Sequence, residues 1–261
     1  MQLLAAILLL TAAYPLTIAL IRNRLTTLRY ALIWASANWC AWMVVAGCGA
    51  IWPIWASPLT RYLALCLTGC TGVAVLGARR PGTGAWNFVV LGLLAVLLLP
   101  VAEGFGTLRL NWVYLAFLGA TLVVGLVNYL PTARAPAALS LAVACGIEVA
   151  GLVRTDLPGW LTSLGHCLIG LTPWLALTVD WWKGTGATEF DRTWLTFRDR
   201  YGVVWAQRTR EQFNRAAANA GWPVTLTWQG LQSAGDGSVP DSEDLLQTLR
   251  ALLKRFALSD E

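Results

Sequence analysis

The sequence predicts an all-α polytopic membrane protein: a seven-helix transmembrane bundle with a small cytoplasmic C-terminal helical (α+β) tail. Three observations carry that prediction. Hydrophobic residues make up 57% of 261 positions and charged residues 13%, whereas soluble domains average about a quarter charged. The apolar residues fall into runs of about 20, enough to cross a ~30 Å hydrocarbon core. Lys and Arg gather in alternate short turns, as the positive-inside rule requires of a chain threaded back and forth.

The first span covers about 3–21. No positive segment precedes it, and Arg22 and Arg24 follow it, the reverse of a cleavable signal peptide, so it is expected to be retained with its amino end outside. Arg22, Arg24 and Arg29 form a basic inner loop before the second span, about 30–51, where Asn38 reads as a helix contact. An aromatic outer turn with Pro53 and Pro58 leads to the third span, 61–77, in which Thr68, Gly69 and Thr71 suit close helix packing. Arg79, Arg80, Pro81 and Gly82 make a second basic inner loop.

The fourth span, 86–101, ends at Glu103 in an outer turn where Arg109 is a candidate partner for that acid. The fifth, 110–130, holds Asn128 near its inner end; the sixth and seventh, 137–153 and 160–180, are joined by the turn from Arg154 to Gly159. In the short loops, Arg22, Arg24, Arg29, Arg79, Arg80, Arg134 and Lys183 fall inside, and Arg61, Arg109 and Arg154 outside. The rule therefore selects an amino terminus outside and a carboxyl terminus in the cytoplasm.

From Gly184 the composition changes. An amphipathic helix is expected over 189–220, with Trp194, Phe197 and Trp205 on its apolar side and Arg198, Arg200 and Arg208 on its polar side. These six are candidate contacts to the membrane surface or to a partner. Gly202 weakens the case for an unbroken helix, and Gly221 is its stop signal. A short strand at 223–231 needs a partner strand, from this chain or another. A Gly/Ser/Asp linker at 233–241 precedes a helix at 242–258 with Asp241 or Ser242 as its cap. The leucine stripe of that last helix is expected to dock on helix 189–220, on the membrane domain or on a protein partner.

The bulk charge points away from nucleic acid. The net charge is +5, but the excess sits in residues 1–183, with ten basic and four acidic side chains, while the tail has nine and ten. The partners expected are the lipid bilayer and a protein bound through the tail. The six cysteines lie in apolar segments without a CxxC or Cys/His cluster, so no disulfide framework or metal site is expected. Of the 15 Trp residues, seven lie at predicted span ends, as headgroup anchors do.

The candidate site is Glu148 with His166, the sole histidine. Each lies six residues from the turn that joins its helices, so both sit about 9 Å below that surface at 1.5 Å per residue. A carboxylate in hydrocarbon costs roughly 2.5–3.5 kcal/mol on insertion scales and should find a donor on a neighbouring helix. The pair reads either as an interhelical hydrogen bond or as a titratable, ligand-binding pair. A retinal Schiff base needs a lysine within a span, and the chain has only Lys183 and Lys254. Bis-histidine haem needs a second imidazole; ligation by His166 alone stays open, and no cofactor is otherwise expected. Three classes remain: a non-catalytic accessory, assembly or sensory component; a proton or small-solute transporter using Glu148 and His166; and a haem-handling protein or membrane enzyme using His166.

Overall fold

A computed structural model describes residues 1–79, 83–104, 108–154, 156–179, 188–233 and 242–257. Arg80, Asp180, Trp181, Trp182, Lys183 and Asp241, together with most of the expected linker, lie outside them. Among the described residues six helices are long and apolar enough to cross a membrane: Gln2–Arg22, Pro58–Gly77, Gly84–Glu103, Trp112–Tyr129, Ala135–Val153 and Gly159–Thr178.

The first consists of α1 (Gln2–Thr11) and α2 (Ala13–Arg22), broken at Ala12. Pro15 accounts for the break, because it lacks an N–H and its ring crowds the carbonyl four residues back. The indole of Trp39 donates to Leu9 O on the turn before the break (2.8 Å). The second expected span, 30–51, is not one of the six. It starts as α3 (Leu28–Trp42), widens into a π-helical turn at Met43–Gly47 and tightens to a 3₁₀ turn at Cys48–Ala50.

Helix α4 (Pro58–Ala74) is the centre of the bundle. Half of its span is buried, against 17% for the spans at Gly84–Glu103 and Trp112–Tyr129. It packs on α3, on α5 (Thr83–Leu97), on α7 (Trp112–Tyr129) and on α8 (Ala135–Val153). A Cβ added to Gly72 would lie 3.0 Å from Gly125 Cα, so the α4 and α7 backbones meet with no side chain between them. Across α3 and α4, Trp42 Nε1 donates to Thr68 Oγ1 (3.0 Å), whose hydroxyl also faces Asn38 Oδ1 at 2.8 Å; the expected contact of Asn38 is thus with Thr68. The short α6 (Leu99–Glu103) follows α5, and Glu103 accepts from Tyr114 (2.7 Å), the hydroxyl that takes the place of Arg109 as its partner. Helix α9 (Gly159–Thr178) lies between α8 and α1, with Gly170 against the Leu8–Leu9 backbone. Phe88, Trp112, Ile54 and Leu3 are each at least 75% exposed, as lipid-facing side chains are.

The tail is built on α10 (Glu189–Asn219), capped by Thr188, whose hydroxyl accepts from Asp191 N (3.1 Å). Gly202 interrupts it with φ 77° and ψ −174°, a left-handed conformation suited to glycine. Gly221 ends it with φ 69°, and Trp222 N bonds Ala217 O. Of the strand expected at 223–231 only β1 (Val224–Leu226) forms; a turn at 227–230 follows, and Leu231 begins its partner β2 (Leu231–Ser233) of the same chain, antiparallel, with Leu226 opposite Leu231. The free edge of β1 is satisfied by Asn214, which accepts from Leu226 N and donates to Leu226 O. Helix α11 (Ser242–Leu253) continues as a 3₁₀ turn to Phe256. Its Leu245, Leu246 and Leu249 are buried, and it packs on α10.

Tail and spans are joined by hydrogen bonds to main-chain groups. Where α10 breaks at Gly202, Asn128 of α7 donates to Tyr201 O (3.4 Å) and accepts from Val204 N (3.2 Å). One side-chain amide thus satisfies both sides of the break. Tyr129 donates to Arg200 O, Trp205 to Val75 O and Trp228 to Pro131 O. Thr27 Oγ1 lies within hydrogen-bond reach of both Ala78 O and Phe256 O, and Thr27 N donates to Phe256 O.

Candidate functional site

The end of the bundle opposite the tail holds the buried acid of the spans, Glu148. Glu148 lies five residues before the end of α8 and His166 seven residues after the start of α9, about 8–10 Å from those ends. The two helices pack side by side, and His166 Nε2 is 3.3 Å from Glu148 Oε1. Acid and imidazole are thus brought side by side. The contact is electrostatic but lies off the direction of a hydrogen bond, and neither atom has a hydrogen-bond partner.

The strong partner of Glu148 is Arg61, which sequence reasoning placed in an outer loop. Arg61 lies in the first turn of α4, and its Nε donates to Glu148 Oε2 at 2.7 Å. Glu148 is fully buried, and the Arg61 side chain is 13% exposed. A charge-assisted bond of this length is the compensation that a carboxylate removed from water requires. Two glycines make room for it. A Cβ on Gly151 would overlap the Arg61 guanidinium, and one on Gly165 would lie 3.1 Å from Glu148 Oε1. The signal for Arg61 was its depth: a cation one turn inside a span can reach down to an embedded acid, and carries the charge that a neutral imidazole lacks.

Trp42, the last residue of α3 before the π-helical turn, closes the site. It is fully buried, with its ring centroid 6.0 Å from that of His166 and the planes tilted by 57°. Arg61 Nη2, Glu148 Oε1 and His166 Nε2 are thus three buried polar atoms, in one cluster, without hydrogen-bond partners. His166 turns Nε2 toward the carboxylate and lies beside the Trp42 ring. Among the described residues no group of three His, Cys, Asp or Glu side chains could hold a metal ion. The cysteines are free, with Cys66, Cys70, Cys145 and Cys167 buried.

Of the six candidate contacts of the tail, Trp194, Phe197 and Trp205 are buried, Arg198 and Arg200 half-buried and Arg208 exposed. Trp194 is fully buried and meets Trp228 edge to face; Phe197 packs on Tyr201 and Phe256; Trp205 packs on Phe256 and donates to Val75 O. The apolar side of α10 is covered by the rest of the chain. Arg198 pairs with Asp199 (2.8 Å) and donates to Trp228 O. Asp199 in turn accepts from Ala133 N. Arg200 contributes its carbonyl to Tyr129, and only Arg208, lying over the Trp205 ring, is exposed. Burial raises the Tyr201 phenol above its ordinary range, consistent with a ring enclosed by Phe197 and Phe256.

These features define an integral, multi-pass membrane protein. Comparison with known proteins gives no matching family model, no matching curated protein and no matching solved structure.

Proposed function

We propose that the chain is a non-catalytic membrane component of accessory, assembly or sensory type, with seven crossings, its amino terminus outside and its tail in the cytoplasm. The seventh crossing is the composite α, π and 3₁₀ helix from Leu28 to Ala50. One observation carries the reading: α4 bears Arg61 at one end and, through Val75 and Ala78 just beyond its other end, the carbonyls bonded by Trp205 and Thr27. The charge cluster and the tail therefore share a helix, and a change in packing at Glu148 is felt where the tail is seated. The leucine stripe of α11 is used inside the tail, so a protein partner meets the polar outer face of α10, at Arg208, Glu211 and Arg215. Hydrogen exchange of residues 199–206 in lipid nanodiscs tests this. Arg61→Met is expected to speed exchange there, and unchanged exchange despite a lowered melting temperature removes the coupling.

A second reading is favoured by the three unpartnered polar atoms at the cluster: transfer of a proton or small solute past Glu148 and His166. Proteoliposome uptake driven by a pH gradient and abolished by Glu148→Gln would select it over the first.

A further inference from the structure

A cavity of about 430 Å³ opens at the seam between tail and spans, within the size range of small-molecule sites. Its polar wall holds Arg192, Arg200, Thr26 and Thr193, its apolar wall includes Phe197 and Phe256, and among the described residues no acid lines it. Thr26 belongs to the turn between α2 and α3, which leaves the first two helices at the tail end, and it bridges to Ala257 beyond α11. The cavity therefore lies level with the ends of the helices.

The surroundings are cationic as well. Arg24 and Arg29, both exposed, flank Thr26 in sequence. On the same tail segment, burial and the nearby positive charge of Arg79 both push Arg255 below its usual range. The described carboxylates adjacent to Arg192 and Arg200 in sequence have partners of their own: Asp191 accepts from Leu231 N, and Asp199 is held by Arg198 and Ala133 N.

We propose that this cavity binds the phosphate headgroup of an anionic phospholipid, with Arg192 and Arg200 on the phosphate, the threonine hydroxyls on its oxygens or glycerol, and the aromatic wall against the start of the acyl chains. Guanidinium matches phosphate in charge and geometry, and basic pockets at the cytoplasmic ends of spans suit such headgroups. The inference rests on the proposed placement of the tail against the inner leaflet and names the ligand that would hold it there.

Native mass spectrometry of the full chain, released from phosphatidylcholine nanodiscs doped with phosphatidylglycerol, tests it. The wild type is expected to retain phosphatidylglycerol in preference to phosphatidylcholine. Arg192→Gln, at an exposed position, and Arg200→Gln should each weaken retention about fivefold, while Arg208→Glu, outside the cavity, should not. Inorganic phosphate should fail to displace the lipid. Equal retention by Arg192→Gln and Arg208→Glu, equal retention of both lipids, or displacement by inorganic phosphate overturns the proposal. Thermal unfolding of each variant separates lost binding from lost folding. A terminal tag mapped on the same protein shows separately whether the tail faces the cytoplasm, so a failed headgroup site and a failed topology give different results.

Discussion

Replacing Arg61 with methionine tests how Glu148 is tolerated in the bundle. The carboxylate is fully buried and takes its one hydrogen bond, at 2.7 Å, from Arg61. Its other oxygen faces an imidazole 3.3 Å away without bonding it. Removing one partner of a buried pair leaves an uncompensated charge, which costs about 3–5 kcal/mol. At about 2–4 °C per kcal/mol for a chain of this size, Arg61→Met should melt about 10 °C below the wild type. Glu148→Met should cost less, because Arg61 lies one turn from the start of α4 and can reach back toward water along its own aliphatic stem. The double variant replaces the pair with flexible apolar chains, and such replacements are often neutral. It should therefore recover most of the loss. Thermal unfolding of the four proteins by circular dichroism in nanodiscs closes the cycle. The reasoning fails if Arg61→Met melts with the wild type, or if the double variant loses the sum of the single losses.

The seam between tail and spans gives three more tests. Asn128→Leu leaves Tyr201 O and Val204 N without their partner, at about 1–3 kcal/mol; amide exchange at 201–206 should accelerate while the core of α4 stays protected. Gly202→Ala places a Cβ at a positive φ and into the Asn128 amide, so it should lower the melting temperature by several degrees, on the order of 2 kcal/mol or more. Tyr201 donates to Phe256 O (3.3 Å), and burial raises its phenol above the ordinary value of 10.0. The folded tail therefore binds that proton more tightly than the unfolded chain does. Its contribution is intact below pH 10 and is lost as pH rises through the raised value. Alkaline release of the tail, read by near-ultraviolet circular dichroism, should shift in Tyr201→Phe, which has no proton to lose.

The apolar helices were legible because hydrocarbon imposes a length and a composition on each one, and no local feature of residues 84–103 or 159–178 disguises that. The helix expected at 30–51 was legible in the same way, but its composite form was not, since a π-helical turn depends on packing around Met43–Gly47 and leaves no composition mark. Glu148 and His166 could be matched by depth from a shared turn. Arg61 was assigned to a loop because counting arginines for orientation treats each one as solvated. In the tail, periodicity found the apolar side of α10 and the stripe of α11. It could not tell that each covers the other, as that depends on where the chain returns after Gly221. The second strand was missed because Leu231–Ser233 is three residues long and mostly polar, and the role of Asn128 was missed because a break in another helix created the groups it bonds.

The most direct test of the whole account is the sidedness of the two termini. With an epitope at each end of the full chain in intact cells, the amino-terminal tag should be reached by an impermeant antibody and the carboxyl-terminal tag only after permeabilisation. Both tags on one side would mean an even number of crossings. That result would contradict the composite Leu28–Ala50 crossing and the separation of the Arg61–Glu148–His166 cluster from the tail by the full thickness of the membrane.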